Sequence, residues 1–195
     1  MTRAGEHLFW SACLLVALCL GVVLPHIHAS AENSMNPKIV EPPEFSIIGI
    51  QVRTSNAREM TGQGDIPKQW SKFYTERIAN KIPNKVDSTI YAVYTNYASD
   101  YNGEYDFIIG MKVSIASDVP PGMAAKNIPS GSFAIITSTK GPAEQVVPQA
   151  WQHVYSLDEK RQLGGTRAYK ADFEVYDQRS QNPQDAQVDL YIGLK

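Results

Sequence analysis

The sequence predicts an α+β fold: duplicated strand-helix-strand-strand units forming a mostly antiparallel sheet, with two main helices packed on it. Three observations predict it. Asp106-Phe107-Ile108-Ile109-Gly110-Met111-Lys112 and Asp189-Leu190-Tyr191-Ile192-Gly193-Leu194-Lys195 share the pattern D-x-x-I-G-x-K. Upstream, Tyr91-Ala92-Val93-Tyr94 matches Phe173-Glu174-Val175-Tyr176. Further upstream, Pro67-x-x-Trp70 matches Pro148-x-x-Trp151. The offsets of 83, 82 and 81 residues mark the duplication of a whole supersecondary unit. The sharpest difference between the copies is an acid, Glu174, where the first half has Ala92.

Residues 1–31 read as a secretory signal peptide. Arg3 supplies its positive charge, Leu8 to Leu24 its apolar run, and Ala29-Ser30-Ala31 the small residues of a cleavage site. The run is short for a membrane span and ends at Pro25, so the membrane is met only through this segment. Its removal takes away Cys13 and Cys19, and leaves His153 as the sole histidine. An exported, thiol-free chain must be held together by its hydrophobic core. Residues 32–38 read as a flexible leader. Residues 39–195 form one domain, with halves at about 39–118 and 123–195.

In the first half, Pro42-Pro43 precede a strand over Phe45 to Val52, and Thr54 to Gly64 reads as a polar loop. Asp65 has the character of an N-cap with Pro67 in the first turn. Ile66, Trp70, Phe73 and Ile78 form the apolar stripe of a helix that runs to Lys81, where Pro83-Asn84 break it. Strands Thr89 to Tyr97 and Glu104 to Ile115 follow, joined by a loop containing the hairpin signal Asn102-Gly103. Pro120-Pro121-Gly122 separates the halves. The second half repeats the order: a strand over Ser132 to Ser138, then a helix from about Ala143 to Asp158 with Val147, Trp151 and Val154 on one side. Strands Tyr169 to Asp177 and Gln187 to Leu194 close the chain.

Alternation along strands sorts the faces. It assigns Tyr105, Phe107, Ile109, Met111 and Val113, with Leu190, Ile192 and Leu194, to a helix-covered core; Tyr91, Val93, Phe173 and Val175 are matched to them. The other face then carries Tyr94, Ile108, Gly110, Glu174, Tyr176, Tyr191 and Gly193. Tyrosines give flat walls with polar tips, and strand glycines let a ligand or another backbone approach. An acid among them is partly desolvated, and an organic cation would compensate it. The same pattern also fits an ordinary half-exposed strand with Glu174 in solvent, and Trp70 and Trp151 at helical spacing also fit core packing.

Lys and Arg total 18 against 20 Asp and Glu, a net charge of −2, which gives no basic footprint for nucleic acid. His153 has no cysteine or triad partner for nucleophilic catalysis, and no metal-ligand spacing surrounds it. No cofactor is expected, and the oligomeric state is not written in the sequence.

The two units, the tryptophan on the first helix, and Asp172-Phe173-Glu174-Val175-Tyr176-Asp177 followed by Val188-Asp189-Leu190-Tyr191-Ile192-Gly193 resemble the GyrI-like effector-binding domains. That family includes the C-terminal domains of the multidrug-sensing regulators BmrR and Rob and stand-alone integron-associated effector-binding proteins. The resemblance runs from about Ile39 to Lys195 and implies a ligand cleft between the halves. It implies that Glu174 anchors organic cations and that Tyr191 lines the pocket; Trp70, Tyr94 and Trp151 are expected as walls by location alone, and Tyr176, on the Glu174 face, is expected to join them in ligand binding. The expected function is binding of a small lipophilic cation outside the cytoplasm, with no DNA-binding segment attached. The alternative is hydrolysis of small electrophilic compounds with Glu174 as general base.

Overall fold

The structure, a computed structural model, describes residues 35–195; the expected signal peptide and the start of the leader lie outside the described residues. Eight strands form one antiparallel sheet: β1 (Lys38–Val40), β2 (Phe45–Ser55), β3 (Lys85–Thr95), β4 (Glu104–Val113), β5 (Ala124–Ile128), β6 (Phe133–Thr137), β7 (Arg167–Tyr176) and β8 (Asp189–Leu194). Their order across the sheet is β1-β6-β8-β7-β3-β4-β2-β5. The repeat explains that order. β2 and β6, β4 and β8, and β3 and β7 are copies of one another, so each half lays down its strands outward from a central β3/β7 seam. Across the seam Ala92 pairs with Glu174, its own counterpart in the repeat. A pseudo-twofold axis therefore passes between these two residues.

Three helical segments lie over one face: α1 (Ile66–Thr75), α2 (Ile78–Lys81) and α3 (Ala143–Glu159). Under α1 and α2, Ile48, Ile50, Phe107, Ile109 and Met111 pack against Phe73 and Ile78. Under α3, Ile136, Leu190 and Ile192 pack against Ala150, Val154 and Leu157. The opposite face carries a third cluster, with Ile47, Val93, Ile108, Phe133 and Phe173 buried beneath Phe45, Tyr91 and Tyr191.

Pairing register corrects the expected faces. Tyr94 stands beside Phe107, and Ala92 beside Ile109. Glu174 stands beside Leu190. Residues paired across strands share a face, so Tyr94, Glu174 and Tyr176 belong to the helix-covered side, while Tyr91, Val93, Phe173 and Val175 belong to the other. Parity within each strand is correct; parity between strands depends on register, and a one-residue slip inverts it.

Other differences are local. The helix expected to run to Lys81 breaks at Arg77, which is left-handed at φ 51°, between α1 and α2. Asp65 does not cap α1. The Glu59 carboxylate accepts instead from the backbone N–H groups of Asp65 (2.9 Å) and Ile66 (3.1 Å), and Asp65 pairs with Arg58 and Lys68. Glu59 reaches that position because the expected loop coils into a helical turn, Asn56–Arg58, and a π-helical segment, Glu59–Gln63. β1 and β5 are strands that sequence alternation did not indicate. β1 begins at Lys38, the last residue of the expected leader, and pairs with β6. The Met35 carbonyl lies 3.0 Å from His153 Nε2. Gly110 and Gly193 serve the approach of backbone rather than ligand: a Cβ on Gly110 would strike the Ile48 carbonyl, and one on Gly193 would lie 2.6 Å from the Ala171 carbonyl oxygen.

Candidate ligand-binding site

α1 and α3 each cover their own half of the sheet and leave a gap over the seam. The gap is a cavity of about 660 Å³, within the ordinary range for small-molecule sites. Its floor is Tyr94, Glu174 and Tyr176, and its walls are Trp70 on α1 and Trp151 on α3. The walls cross between halves. Trp70 sits edge-on to Tyr176 with ring centres 4.8 Å apart, and Trp151 sits edge-on to Tyr94 at 5.0 Å. Each indole thus rests on the tyrosine of the other copy, a contact that favours edge-to-face rings.

Glu174 lies at the centre and is only 2% exposed. Its Oε1 accepts from Tyr94 Oη at 2.7 Å and from Trp151 Nε1 at 2.6 Å. Its Oε2 accepts from Tyr176 Oη at 2.6 Å. Burial pushes the carboxyl pKa above the ordinary glutamate value, and the three donors, Tyr176 first, pull it back part of the way. Burial, reinforced by the Glu174 charge, holds the Tyr94 and Tyr176 hydroxyls well above the usual tyrosine range, so both stay protonated and donate. Among the described residues no lysine, arginine or histidine pairs with Glu174. The acid is oriented by neutral donors and lacks a counter-charge.

Five of the six residues singled out in the sequence therefore meet here: Glu174, Tyr94, Tyr176, Trp70 and Trp151. Glu174 is not the solvent-facing acid that alternation alone allowed. Tyr191 is not among them. It lies on the opposite face, stacked on Phe173 with ring centres 4.6 Å apart and planes 13° from parallel. Its displacement has the same cause as the face correction.

The cavity also takes in residues that sequence reasoning passed over. Tyr74 and Tyr155 stand one helical turn after Trp70 and Trp151, so the shared pattern was P-x-x-W-x-x-x-Y in both halves. That longer match was the available signal. Met60, Tyr74 and Tyr101, exposed by 81, 61 and 41%, form an apolar rim. Arg167 carried no signal, because its role depends on tertiary pairing. It forms a buried ion pair with Asp172 at 2.7 Å. Asp172 also accepts from Tyr97 Oη at 2.7 Å and from the Gly193 N–H at 2.8 Å. Among the described residues no group of three His, Cys, Asp or Glu is placed to hold a metal ion.

Residues 38–194 match the family described as integron-associated effector binding protein. The chain belongs to that family. This effector-binding protein is 34% identical over 148 residues to a putative transcriptional regulator, YobU, of Bacillus subtilis, covering 75% of the chain and 90% of the relative. It is also 34% identical over 165 residues to the transcriptional regulator BrlR of Pseudomonas aeruginosa, covering 83% of the chain but only 56% of that relative. Among solved structures, an integron cassette protein from Vibrio cholerae superposes with a TM-score of 0.68 at 28% identity, covering 82% and 96% of the two chains. A protein solved with tetraphenylphosphonium bound superposes equally well, at 0.68 but 15% identity, covering 83% and 94%. Effector-binding proteins of this kind bind small molecules, and both sequence relatives carry names of transcriptional regulators.

Proposed function

We propose that this protein binds lipophilic organic cations in the cavity between α1 and α3, with Glu174 as their counter-charge. The observation that carries the reading is the buried Glu174 carboxylate, held by three neutral donors with no basic partner among the described residues. A buried charge without a partner is costly, and a guest that brings the opposite charge removes the cost. The aromatic walls favour a cation with a broad apolar surface, since indole and phenol faces attract both. The bound tetraphenylphosphonium of a fold neighbour is a ligand of that chemical class. Segment 1–31 completes the reading by directing the protein out of the cytoplasm, where it would sense or sequester such compounds.

The test is calorimetric titration of the full chain with tetraphenylphosphonium. Saturable binding that weakens by about 2–5 kcal/mol in Glu174→Gln is expected, the range for truncating one partner of a buried charge pair. Equal affinity in parent and variant would remove Glu174 from the role of anchor. Long incubation with a small electrophilic ester, in place of the inert phosphonium, separates binding from hydrolysis by Glu174: a binder returns the ester unchanged, a hydrolase converts it. N-terminal sequencing of the protein from the cell exterior should begin near Glu32.

A further inference from the structure

The cavity holds a second charged group whose bonding is incomplete. The Arg167 side chain is 2% exposed and lines the cavity. Its Nη2 is taken by Asp172, but Nε and Nη1 are buried with no hydrogen-bond partner. Tyr169, Trp151 and Tyr155 place their rings 4.6, 5.6 and 5.7 Å from the guanidinium carbon. Ring faces compensate the charge but offer no oxygen to these two nitrogens. Buried donors of a native protein are almost always satisfied, so orphans beside a cavity call for an acceptor from outside.

Trp151 fixes where that acceptor would sit relative to a bound cation. Its indole N–H is bonded to Glu174, while its ring carries Arg167. The two charged groups are therefore separated by one indole. Charge selects the kind of acceptor. Asp172 already neutralises Arg167, so a carboxylate on the guest would bring an uncompensated negative charge into a dry site. A carbonyl oxygen would satisfy the donors without adding charge. The geometry points to a second subsite at Arg167, which selects organic monocations bearing a neutral carbonyl-type acceptor about one aromatic ring away from the cationic centre. This rests on the cation reading of Glu174 and deepens it.

The experiment compares (4-acetylphenyl)triphenylphosphonium with its apolar isostere, the 4-isopropylphenyl compound, and with unsubstituted tetraphenylphosphonium, by calorimetry on the full chain. The acetyl compound should bind about tenfold tighter than the isopropyl compound, the gain typical of a hydrogen bond to a charged donor. Arg167→Met alone leaves Asp172 buried and unpaired and invites misfolding. The double variant Arg167→Met/Asp172→Asn removes both charges and keeps an oxygen for the Gly193 N–H. In that variant, once its thermal melt shows a cooperative transition, the acetyl-to-isopropyl ratio should fall to about one. A ratio of one in the parent protein, or a preference that survives in the double variant, overturns the subsite. A 4-carboxyphenyl analogue that binds tighter than the acetyl compound overturns the assignment to a neutral acceptor. Failure of unsubstituted tetraphenylphosphonium to bind at all overturns the cation reading and this inference with it.

Discussion

At the scale of single residues, Glu174 in its proposed role would tie ligand affinity to pH. Its folded pKa is raised above the ordinary 4.5 by burial. With a raised carboxyl pKa, the contribution of Glu174 to the stability of the empty protein is fully present below the unfolded value and is lost as pH rises through the folded one. A permanent cation needs the ionised form, so its affinity should rise with pH across the same window and then level off. Glu174→Gln should flatten that profile and raise the Tm of the empty protein at neutral pH by a few degrees. A melt that drops at every pH would contradict the account. Trp151→Phe removes one donor to Glu174 Oε1, which disfavours the charged form. Calorimetry across the range of about pH 4 to 8 should therefore show the midpoint of the affinity–pH curve moved upward. Tyr191→Leu, on the other face, should leave tetraphenylphosphonium affinity within about twofold, because residues far from a site rarely couple to it.

At the scale of elements, the glycines of the repeated Ile-Gly pairs set how closely strands may lie. A Cβ on Gly110 would meet the Ile48 carbonyl, a backbone atom that cannot swing aside. Gly110→Ala should cost about 1–3 kcal/mol in urea unfolding, the usual range for overpacking. Gly131→Ala, with nothing within 4 Å of the added methyl, is the matched control and should unfold like the parent. The elements themselves were legible because repeat and alternation are local signals. The acid was legible because the two copies differ there, Ala92 against Glu174. What was not legible was which strand faces lay together: Tyr94 beside Phe107, rather than on the far side, is a fact of register. That single unknown moved Tyr191 into the expected pocket and Tyr91 into the expected core. The cap of α1 was missed for a related reason, since Glu59 reaches the helix start only after a π-helical segment that no spacing announces.

At the scale of the molecule, the halves are copies that do not finish themselves. Trp70 needs Tyr176 and Trp151 needs Tyr94, and β3 and β7 close one sheet only together. A fragment of residues 35–118 would expose its seam edge and the apolar floor of the cavity, and an open apolar edge promotes association. Expressed alone, it should give no cooperative thermal transition by circular dichroism, whereas the full chain gives one. A fragment that melts sharply as a monomer would make the halves independent. The pairing of Ala92 with Glu174 has one more consequence. Two identical half-length chains meeting at this line would set the same residue against itself. Two alanines would give no anchor, and two glutamates about 4.5–5.5 Å apart would repel until one took up a proton. A solitary carboxylate on the axis requires two copies that differ there, and under the proposed role of Glu174 it would match a guest carrying a single positive charge.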